Sequence, residues 1–330
     1  MLDSKRREFI ALLGGGGLLL AAKVKRARGP QAAMPVIGFL NGGVEGYAPY
    51  LNGFRQGLKT AGYVEGQNIA IEYRWAEGRY DRLPALAADL VGRNVSVIVV
   101  NTPAVRAAQA ATKTIPIVFV TGADPVALGF VASLARPGGN LTGVASLVDE
   151  VGPKRLELVH ELLPTTSMFA VLVNPTSPAA ETVSRDVQSA ARALGQTVHI
   201  LNATTGGEID VAFARLAQLR AGALLVTNDP FFNSHPDQLV ALAARHAIPV
   251  VYAWREFVIA GGLMSYGTSI PHVYRQLAIY VARILKGEKP ADLPVQQSTE
   301  VELIINMRTA KQLGLTVPIH LLGRADEIIE

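Results

Sequence analysis

Small polar and acidic side chains recur in this sequence directly after short, mostly apolar runs. Asn41 and Gly42 follow the run 34–40, and Asn228 and Asp229 lie at the end of the run 223–227. Runs of this length predict strands buried in a parallel sheet, and small ligands bind outside the carboxyl ends of such strands, beside helix N-termini. We therefore predict that a set of such positions contacts a ligand, and the set is Asn41, Gly42, Thr102, Asp124, Ser146, Asn174, Asn228, Asp229, Tyr252, Trp254, Glu256 and Tyr266.

The chemistry of this set suits a ligand that carries both a negative and a positive charge. Hydroxyl groups and helix N-termini favour a carboxylate, whereas Asp124, Asp229 or Glu256 can pair with an ammonium group. The aromatic residues near the strand ends can stack on an apolar or aromatic portion of the ligand, and they are Tyr47, Tyr252, Trp254 and Tyr266. An alternative stays open for each polar residue, because Asn and Asp beside Pro are also ordinary turn residues.

Catalytic and cofactor chemistry has little support in the sequence. There is no cysteine, and the six histidines show no metal-ligand spacing. No Gly-x-Ser-x-Gly, Walker or Gly-x-Gly-x-x-Gly motif follows a predicted strand. We therefore predict no catalytic residue, no metal site and no cofactor, although a triad assembled from residues distant in the sequence stays open.

The elements that must position these residues alternate along the chain. The predicted strands are 34–40, 69–73, 95–100, 115–120, 168–173, 197–202, 223–227, 249–253 and 301–305, and the predicted helices are 50–61, 80–91, 103–112, 178–194, 208–220, 236–246, 272–285 and 308–313. Because the 330 residues exceed the usual size of a single core, this alternation predicts an α/β fold with two doubly wound parallel sheets.

The segment 1–34 differs from the rest of the chain. Arg6 and Arg7 precede Phe9 and a modest apolar run, 11–22, and basic residues follow at 23–28. This pattern resembles a twin-arginine export signal and predicts a periplasmic protein. No clean cleavage site follows, so retention as a membrane tether stays open, as does a cytoplasmic basic tail.

The positive net charge of the chain comes from the same segment. The net charge is +4, but seven of the 31 basic residues and two of the 27 acidic residues lie in 1–34. The remainder therefore carries 24 basic and 25 acidic residues, a net charge of −1. Since a phosphate-binding surface needs a clustered excess of Lys and Arg, we predict no nucleic-acid partner.

Three stretches of the body resemble one protein family. They are 35–41 (PVIGFLN), 62–81 (GYVEGQNIAIEYRWAEGRYD) and 129–143 (GFVASLARPGGNLTG). These stretches are similar to ABC-transporter substrate-binding proteins grouped with the tryptophan-type uptake systems, and the similarity extends over essentially the whole chain.

This resemblance implies a type I periplasmic binding fold, in which two lobes joined by three crossovers close on a solute. The expected lobes are 35–146 with 269–297, and 147–268 with 298–330. The resemblance also implies a receptor that delivers a small molecule to an ABC permease and its ATPase. An amino-acid-like or aromatic carboxylate is the favoured solute.

Two other classes of protein compete with this hypothesis. An exported α/β enzyme could use Asp124, Asp229 or Glu256 as an acid or base in the same cleft. A transcriptional regulator of the same two-lobe fold would need a DNA-binding helix-turn-helix before the first lobe, and residues 1–34 do not have that pattern.

Overall fold

The computed structural model describes residues 34–298 and 300–330. The predicted export signal, with Arg6, Arg7 and Phe9, lies outside the described residues. Residues Met34–Glu330 form a single unit by their contacts. None of the helices in the described ranges has the length and apolar character that crossing a membrane requires.

Strands in these described ranges form two sheets. One sheet has six strands in the order β11-β5-β4-β3-β1-β2, and the other has seven in the order β13-β12-β10-β9-β8-β6-β7. The strands are β1 (Val36–Asn41), β2 (Ala70–Trp75), β3 (Val97–Asn101), β4 (Ile117–Thr121), β5 (Leu141–Ala145), β6 (Met168–Val173), β7 (Thr197–Asn202), β8 (Ala223–Val226), β9 (Val250–Tyr252), β10 (Met264–Gly267), β11 (Gln296–Gln297), β12 (Glu302–Asn306) and β13 (Glu327–Ile329). We call the six-stranded sheet with its helices lobe 1, and the seven-stranded sheet with its helices lobe 2.

Helices cover the faces of both sheets. They are α1 (Ala48–Thr60), α2 (Leu83–Gly92), α3 (Val105–Ala111), α4 (Gly152–Leu162), α5 (Ala180–Ala193), α6 (Gly206–Leu219), α7 (Pro230–Asn233), α8 (Pro236–Arg245), α9 (Arg255–Ile259), α10 (Ile270–Leu285), α11 (Met307–Gln312) and α12 (Ile319–Leu322). The sequence prediction misses α4, although its buried residues Leu156, Val159 and Leu162 have helical spacing. It also misses the short helices α7, α9 and α12 and the strands β5, β10, β11 and β13.

Most strands pair in parallel because helices connect them. The same helices cover both faces of each sheet. Every residue of β3 and β4 is buried, as expected for apolar strands in the middle of a parallel sheet. The register aligns β1 with β2 from Val36 opposite Ala70. One pair departs from this pattern, because β12 runs antiparallel to β10. Because β13 pairs in parallel with β12, the fold is two doubly wound α/β lobes with two reversed strands, β12 and β13, at one edge of lobe 2.

The chain passes between the two sheets three times. It leaves lobe 1 after β5 and enters α4, whose apolar residues pack with the core of lobe 2. It returns between β10 and α10, which packs against α1 of lobe 1. It crosses again between β11 and β12. The three connecting segments form the hinge. Beside it, the carboxyl ends of the strands of both sheets face each other.

Helices α1 and α10 approach each other closely in lobe 1. A Cβ atom at Gly53 would lie 2.4 Å from the Pro271 carbonyl oxygen, and one at Gly57 would lie 2.5 Å from the Arg275 carbonyl oxygen. Only glycine permits this backbone spacing, because real Cβ atoms do not approach other atoms so closely. The contact fixes the N-terminal turns of both helices against the hinge.

Candidate ligand-binding site

A cavity lies between the lobes, at the carboxyl ends of their strands. It holds about 400 Å³ of space not occupied by protein atoms, including its open mouth. Lobe 1 and its hinge segments contribute most of the lining, and lobe 2 contributes residues that follow β8 and β9. The lining residues are Tyr50, Asn101, Thr102, Val120, Thr121, Gly122, Ser146, Asn228, Pro230, Asn233, Trp254, Ile270, Val273 and Tyr274.

Three aromatic side chains form the apolar walls of the cavity. Tyr50 of α1 and Tyr274 of α10 stack with ring centroids 4.8 Å apart and an interplanar angle of 24°. Tyr47 packs edge-on against Tyr50 at 4.5 Å. Trp254, which immediately precedes α9, comes from lobe 2 and is 6% exposed. Aromatic faces on both lobes give a ligand ring stacking surfaces that form fully only when the lobes are together.

Polar groups occupy the floor of the cavity, where lobe 1 meets the hinge. The Ser146 hydroxyl donates to the Thr121 carbonyl oxygen at 3.1 Å. Thr102 opens a short 3₁₀ turn that leads into α3. Their hydroxyl oxygens retain lone pairs and suit a polar ligand group.

Asn41 and Gly42 are not part of the cavity lining, but they contact residues that are. The Asn41 carboxamide nitrogen donates to Tyr274 Oη at 3.2 Å, and its oxygen accepts from Asn101 Nδ2 at 2.8 Å. The backbone nitrogen of Gly42 donates to Asn101 Oδ1 at 3.0 Å. We infer that both residues position Asn101 and Tyr274, which line the cavity.

Lobe 2 reaches the cavity through a network centred on Asn228. Trp254 Nε1 donates to Asn228 Oδ1 at 2.9 Å, which fixes the indole ring. Asn228 Nδ2 donates to Asp149 Oδ1 at 3.1 Å, in the hinge segment between β5 and α4. The Asn233 carboxamide lies near Asn228 and 3.3 Å from Tyr50 Oη. The network joins both lobes and the hinge.

Asp229 connects the two lobes directly. Its Oδ1 accepts hydrogen bonds from Tyr80 Oη of lobe 1 at 2.6 Å, from Asn174 Nδ2 at 2.9 Å and from the backbone nitrogen of Phe231 at 2.9 Å. Burial raises the pKa of this carboxyl. Asp229 therefore caps α7, which is the turn role that the sequence left open, and also holds α7 against lobe 1, which the sequence did not indicate.

A second contact supports this closure. Ser234, just after α7, accepts through Oγ a hydrogen bond from the backbone nitrogen of Val44 at 3.2 Å. The rings of Phe231 and Phe232 belong to the same apolar cluster as Phe39 and Trp75 of lobe 1. We call residues 229–234 the clasp, because they join lobe 2 to lobe 1.

The other predicted acids lie away from the cavity lining. Asp124 is exposed, and its Oδ1 accepts from the backbone nitrogen of Val126 at 2.8 Å, which is the turn role. Glu256 lies in the first turn of α9, and burial raises the pKa of its carboxyl. Asn174 contacts Asp229 in a separate small pocket. Ligand contact by these residues stays a prediction.

Two predicted aromatic residues belong to the interior of lobe 2. The Tyr252 ring is fully buried and stacks on Phe257 with centroids 4.5 Å apart. The Tyr266 side chain packs against the core of lobe 2, and its carbonyl oxygen accepts from Arg155 Nε at 2.7 Å. Neither side chain is part of the cavity lining.

Of the predicted set, the structure brings Thr102, Ser146, Asn228 and Trp254 into the lining. Sequence reasoning missed Tyr50 and Tyr274, because both occupy the first two turns of helices and match the apolar spacing of a core face. It also missed Asp149, since the hinge segment has no strand or helix pattern. Tyr50 and Tyr274 could have been found from their position in the chain. A helix that follows a strand presents its first turns to the cleft at the end of that strand.

The clasp makes a specific prediction for Tyr80. Tyr80→Phe removes the hydroxyl that donates to Asp229, while Asn174 and Phe231 still donate to that carboxylate. Hydrogen bonds to charged groups contribute about 1.5–3 kcal/mol, so the equilibrium should shift toward open lobes by roughly ten- to hundredfold. Small-angle scattering should give the variant a larger radius of gyration than the parent protein.

The matched control is Tyr63→Phe. Tyr63 packs at the edge of the lobe 1 core, and among the described residues its hydroxyl makes no hydrogen bond. This variant should keep the radius of gyration of the parent. Equal radii for Tyr80→Phe and the parent would show that the clasp does not hold the lobes together.

Two α/β lobes that are joined by three connecting segments and enclose a cavity define a type I periplasmic-binding-protein fold. The chain belongs to the family described as ABC transporter substrate binding protein, whose family model matches residues 40–329. The chain is therefore a solute-binding protein, as its sequence motifs predicted.

Relatives with known names or structures support this assignment. The chain is 28% identical over 264 residues to a tyrosine-binding protein of Clostridioides difficile (strain R20291), covering 80% of this chain and 76% of the relative. A conserved domain protein from Vibrio cholerae is 30% identical, with a TM-score of 0.81 over 89% of this chain and 99% of that chain.

Two further structures bear on the arrangement of the lobes. An ABC domain from Streptococcus pneumonia in complex with L-Trp has a TM-score of 0.80 at 24% identity, over 89% of this chain and 99% of that one. A ligand-free, open substrate-binding protein from Clostridium difficile has a TM-score of 0.62 at 26% identity, with the same coverage. Both structures share the two-lobe fold of this chain.

Proposed function

We propose that this protein captures an aromatic amino acid between its lobes and delivers it to an ABC permease. The observation that carries the proposal is the cavity itself, whose walls are aromatic on both lobes and whose floor is polar. The names of two similar proteins, one tyrosine-binding and one in complex with L-Trp, support the same ligand class. We assign ligand contact to Thr102, Ser146, Asn228 and Trp254, together with Tyr50 and Tyr274.

We also propose that the protein acts without catalysis. Asp229 has a structural role in the clasp, and Asp124 has a turn role, so neither is placed as a free acid or base in the cavity. Incubation with a bound amino acid, followed by chromatography and mass spectrometry, should recover the ligand unchanged. Steady conversion of the ligand would support the competing hypothesis of an exported enzyme.

A thermal-shift screen of residues 34–330 tests the ligand class. The protein should be partly unfolded and refolded first, to remove any copurified ligand. An aromatic amino acid at about 100 times its dissociation constant should add roughly 2.7 kcal/mol to the free energy of unfolding, which corresponds to a rise of a few degrees in Tm. Sugars, purines and aliphatic amino acids serve as controls, and a response to one of these alone would refute the proposed ligand class.

We further propose periplasmic localisation through the twin-arginine route. The support is the Arg6-Arg7 pair, followed by Phe9 and an apolar run. Changing Arg6 and Arg7 together to Lys should block export, because paired arginines are the feature by which this route selects its cargo. Cell fractionation should find the variant inside the cell, whereas the single change Lys5→Arg should be exported normally. Normal export of the double variant would show that another route is used.

A further inference from the structure

Asp149 is an acidic residue next to the cavity, and among the described residues only one of its two carboxylate oxygens accepts a hydrogen bond. It lies in the hinge segment between β5 and α4 and is 7% exposed. Its Oδ1 accepts from Asn228 Nδ2 at 3.1 Å, and its backbone nitrogen donates to the Gly122 carbonyl oxygen at 2.9 Å. Within the described ranges, its Oδ2 accepts no hydrogen bond from a side chain or from the backbone.

Gly122 gives the cavity access to this carboxylate. It follows β4 and lines the cavity together with Asn228. A Cβ atom at Gly122 would lie 2.6 Å from Asp149 Oδ2 and 2.6 Å from Asn228 Nδ2. Any other residue would therefore fill the space between the carboxylate and the cavity. The absence of a side chain at Gly122 leaves Asp149 Oδ2 next to that part of the lining.

The nearest cation does not satisfy this carboxylate. Arg155 of α4 is fully buried, and its guanidinium donates to the carbonyl oxygens of Tyr266 and Val148. Among the described residues, no Lys or Arg nitrogen lies within 4 Å of an Asp149 oxygen, the distance that defines the ion pairs found elsewhere in this protein. A buried carboxylate without a paired cation is costly, and a positively charged ligand group would offset that cost.

We propose that Asp149 binds the ammonium group of the ligand through Oδ2, and that it thereby makes the receptor selective for amines over their deaminated analogues. This inference rests on the proposed function, since it assigns a partner to one group of the proposed ligand. The other acids suggested by the sequence are less suited. Asp229 Oδ2 and Glu256 Oε2 are also buried without a hydrogen-bond partner among the described residues. Asp229, however, lines a separate small pocket, Glu256 lies outside the cavity lining, and Asp124 is exposed in a turn.

The test compares two ligand pairs by isothermal titration calorimetry. The pairs are L-tryptophan with indole-3-propionate, and L-tyrosine with 3-(4-hydroxyphenyl)propionate, which differ by the α-amine. The parent protein should prefer the amine of each pair by about 10- to 150-fold, the range for a hydrogen bond between charged groups. Asp149→Asn keeps the shape of the side chain but loses its charge, so this preference should collapse to less than about threefold.

The control variant is Glu150→Gln, which removes an exposed acid one residue further along the same segment. It should keep the full preference for amines. The deaminated analogues provide an internal control, because their affinities should be the same in Asp149→Asn as in the parent. Equal affinities show that the cavity of the variant is intact.

The pH dependence provides a second readout. Burial raises the pKa of Asp149 to about 6, with Asp229 and Glu150 also raising it and with Asn228 and Arg155 lowering it. Only the ionised carboxylate pairs with an ammonium group, so the affinity of the parent for L-tryptophan should fall roughly fourfold as the pH is lowered from 7.5 to 5.5. Asp149→Asn should lack this decrease, because the variant has no carboxyl at this position, and any contribution from the other acids remains in both proteins.

The outcomes separate this inference from the proposed function. Aromatic amino acids that bind the parent with an amine preference that Asp149→Asn retains would overturn the role of Asp149 and leave the ligand class standing. Failure of the parent to bind any of the four compounds would overturn both. Loss of the preference in Asp149→Asn alone would establish the role.

Discussion

Replacing Trp254 with alanine is expected to weaken the binding of an aromatic amino acid by about 30- to 700-fold. Trp254 supplies the aromatic wall of the cavity from lobe 2 and is held by the hydrogen bond from Nε1 to Asn228. Aromatic residues at the centre of buried contacts contribute about 2–4 kcal/mol to binding, and 1.4 kcal/mol is a tenfold change in affinity. Isothermal titration calorimetry with L-tryptophan and L-tyrosine measures the change.

Trp254→Phe is the matched variant for this prediction. Phenylalanine keeps an aromatic face but lacks the N–H group that orients the indole, so a loss of no more than about tenfold is expected. A dissociation constant for Trp254→Ala within threefold of the parent value would remove the lobe 2 wall from the proposed site. Thermal unfolding of both variants shows whether the fold is preserved.

Replacing Gly57 with leucine is expected to lower the free energy of unfolding by about 3 kcal/mol. The first atom of the new side chain would lie 2.5 Å from the Arg275 carbonyl oxygen and 2.7 Å from Ala278 Cβ. Overpacking of this kind commonly costs about 1–3 kcal/mol, and the cost is at the upper end here because a backbone atom must move. Chemical denaturation with urea measures the change.

Gly92→Leu is the control for this prediction. Gly92 is the exposed last residue of α2, and a Cβ atom there meets nothing within 4 Å. Leucine favours helix more than glycine does, by up to about 1 kcal/mol, so the stability should be unchanged or slightly higher. A Gly57→Leu variant as stable as the parent would show that α1 and α10 can separate at little cost. A change in ligand affinity would also be expected, because Tyr50 and Tyr274 lie on these helices.

The sequence predicted the fold better than it predicted the site. Strands such as β3 and β4 are apolar in every residue but the last, and this property follows from their position in the middle of a covered sheet. The antiparallel direction of β12 could not be predicted, because an apolar strand has the same pattern in either direction. The short helices α7 and α9 are too brief to show a period.

The site depends on contacts between residues that are distant in the sequence. Asn228 and Trp254 follow strands, and the rule for strand ends placed them in the candidate set. Tyr50 and Tyr274 face the cavity because two glycines allow α1 and α10 to pack closely, and helical spacing cannot distinguish such a surface from a core. Asp149 becomes accessible through Gly122, which precedes it by 27 positions, and no local pattern connects the two.

The clasp has a consequence for the timing of transport. Its contacts join protein groups to protein groups, from Asp229 to Tyr80 and from Ser234 to Val44. Their contribution to closure is therefore the same with or without cargo, and they set a basal rate at which the lobes reopen. Cargo can only slow that rate further. For a receptor that serves a permease, the loaded and empty molecules would then differ mainly in the lifetime of a shared shape, and the permease would select by dwell time.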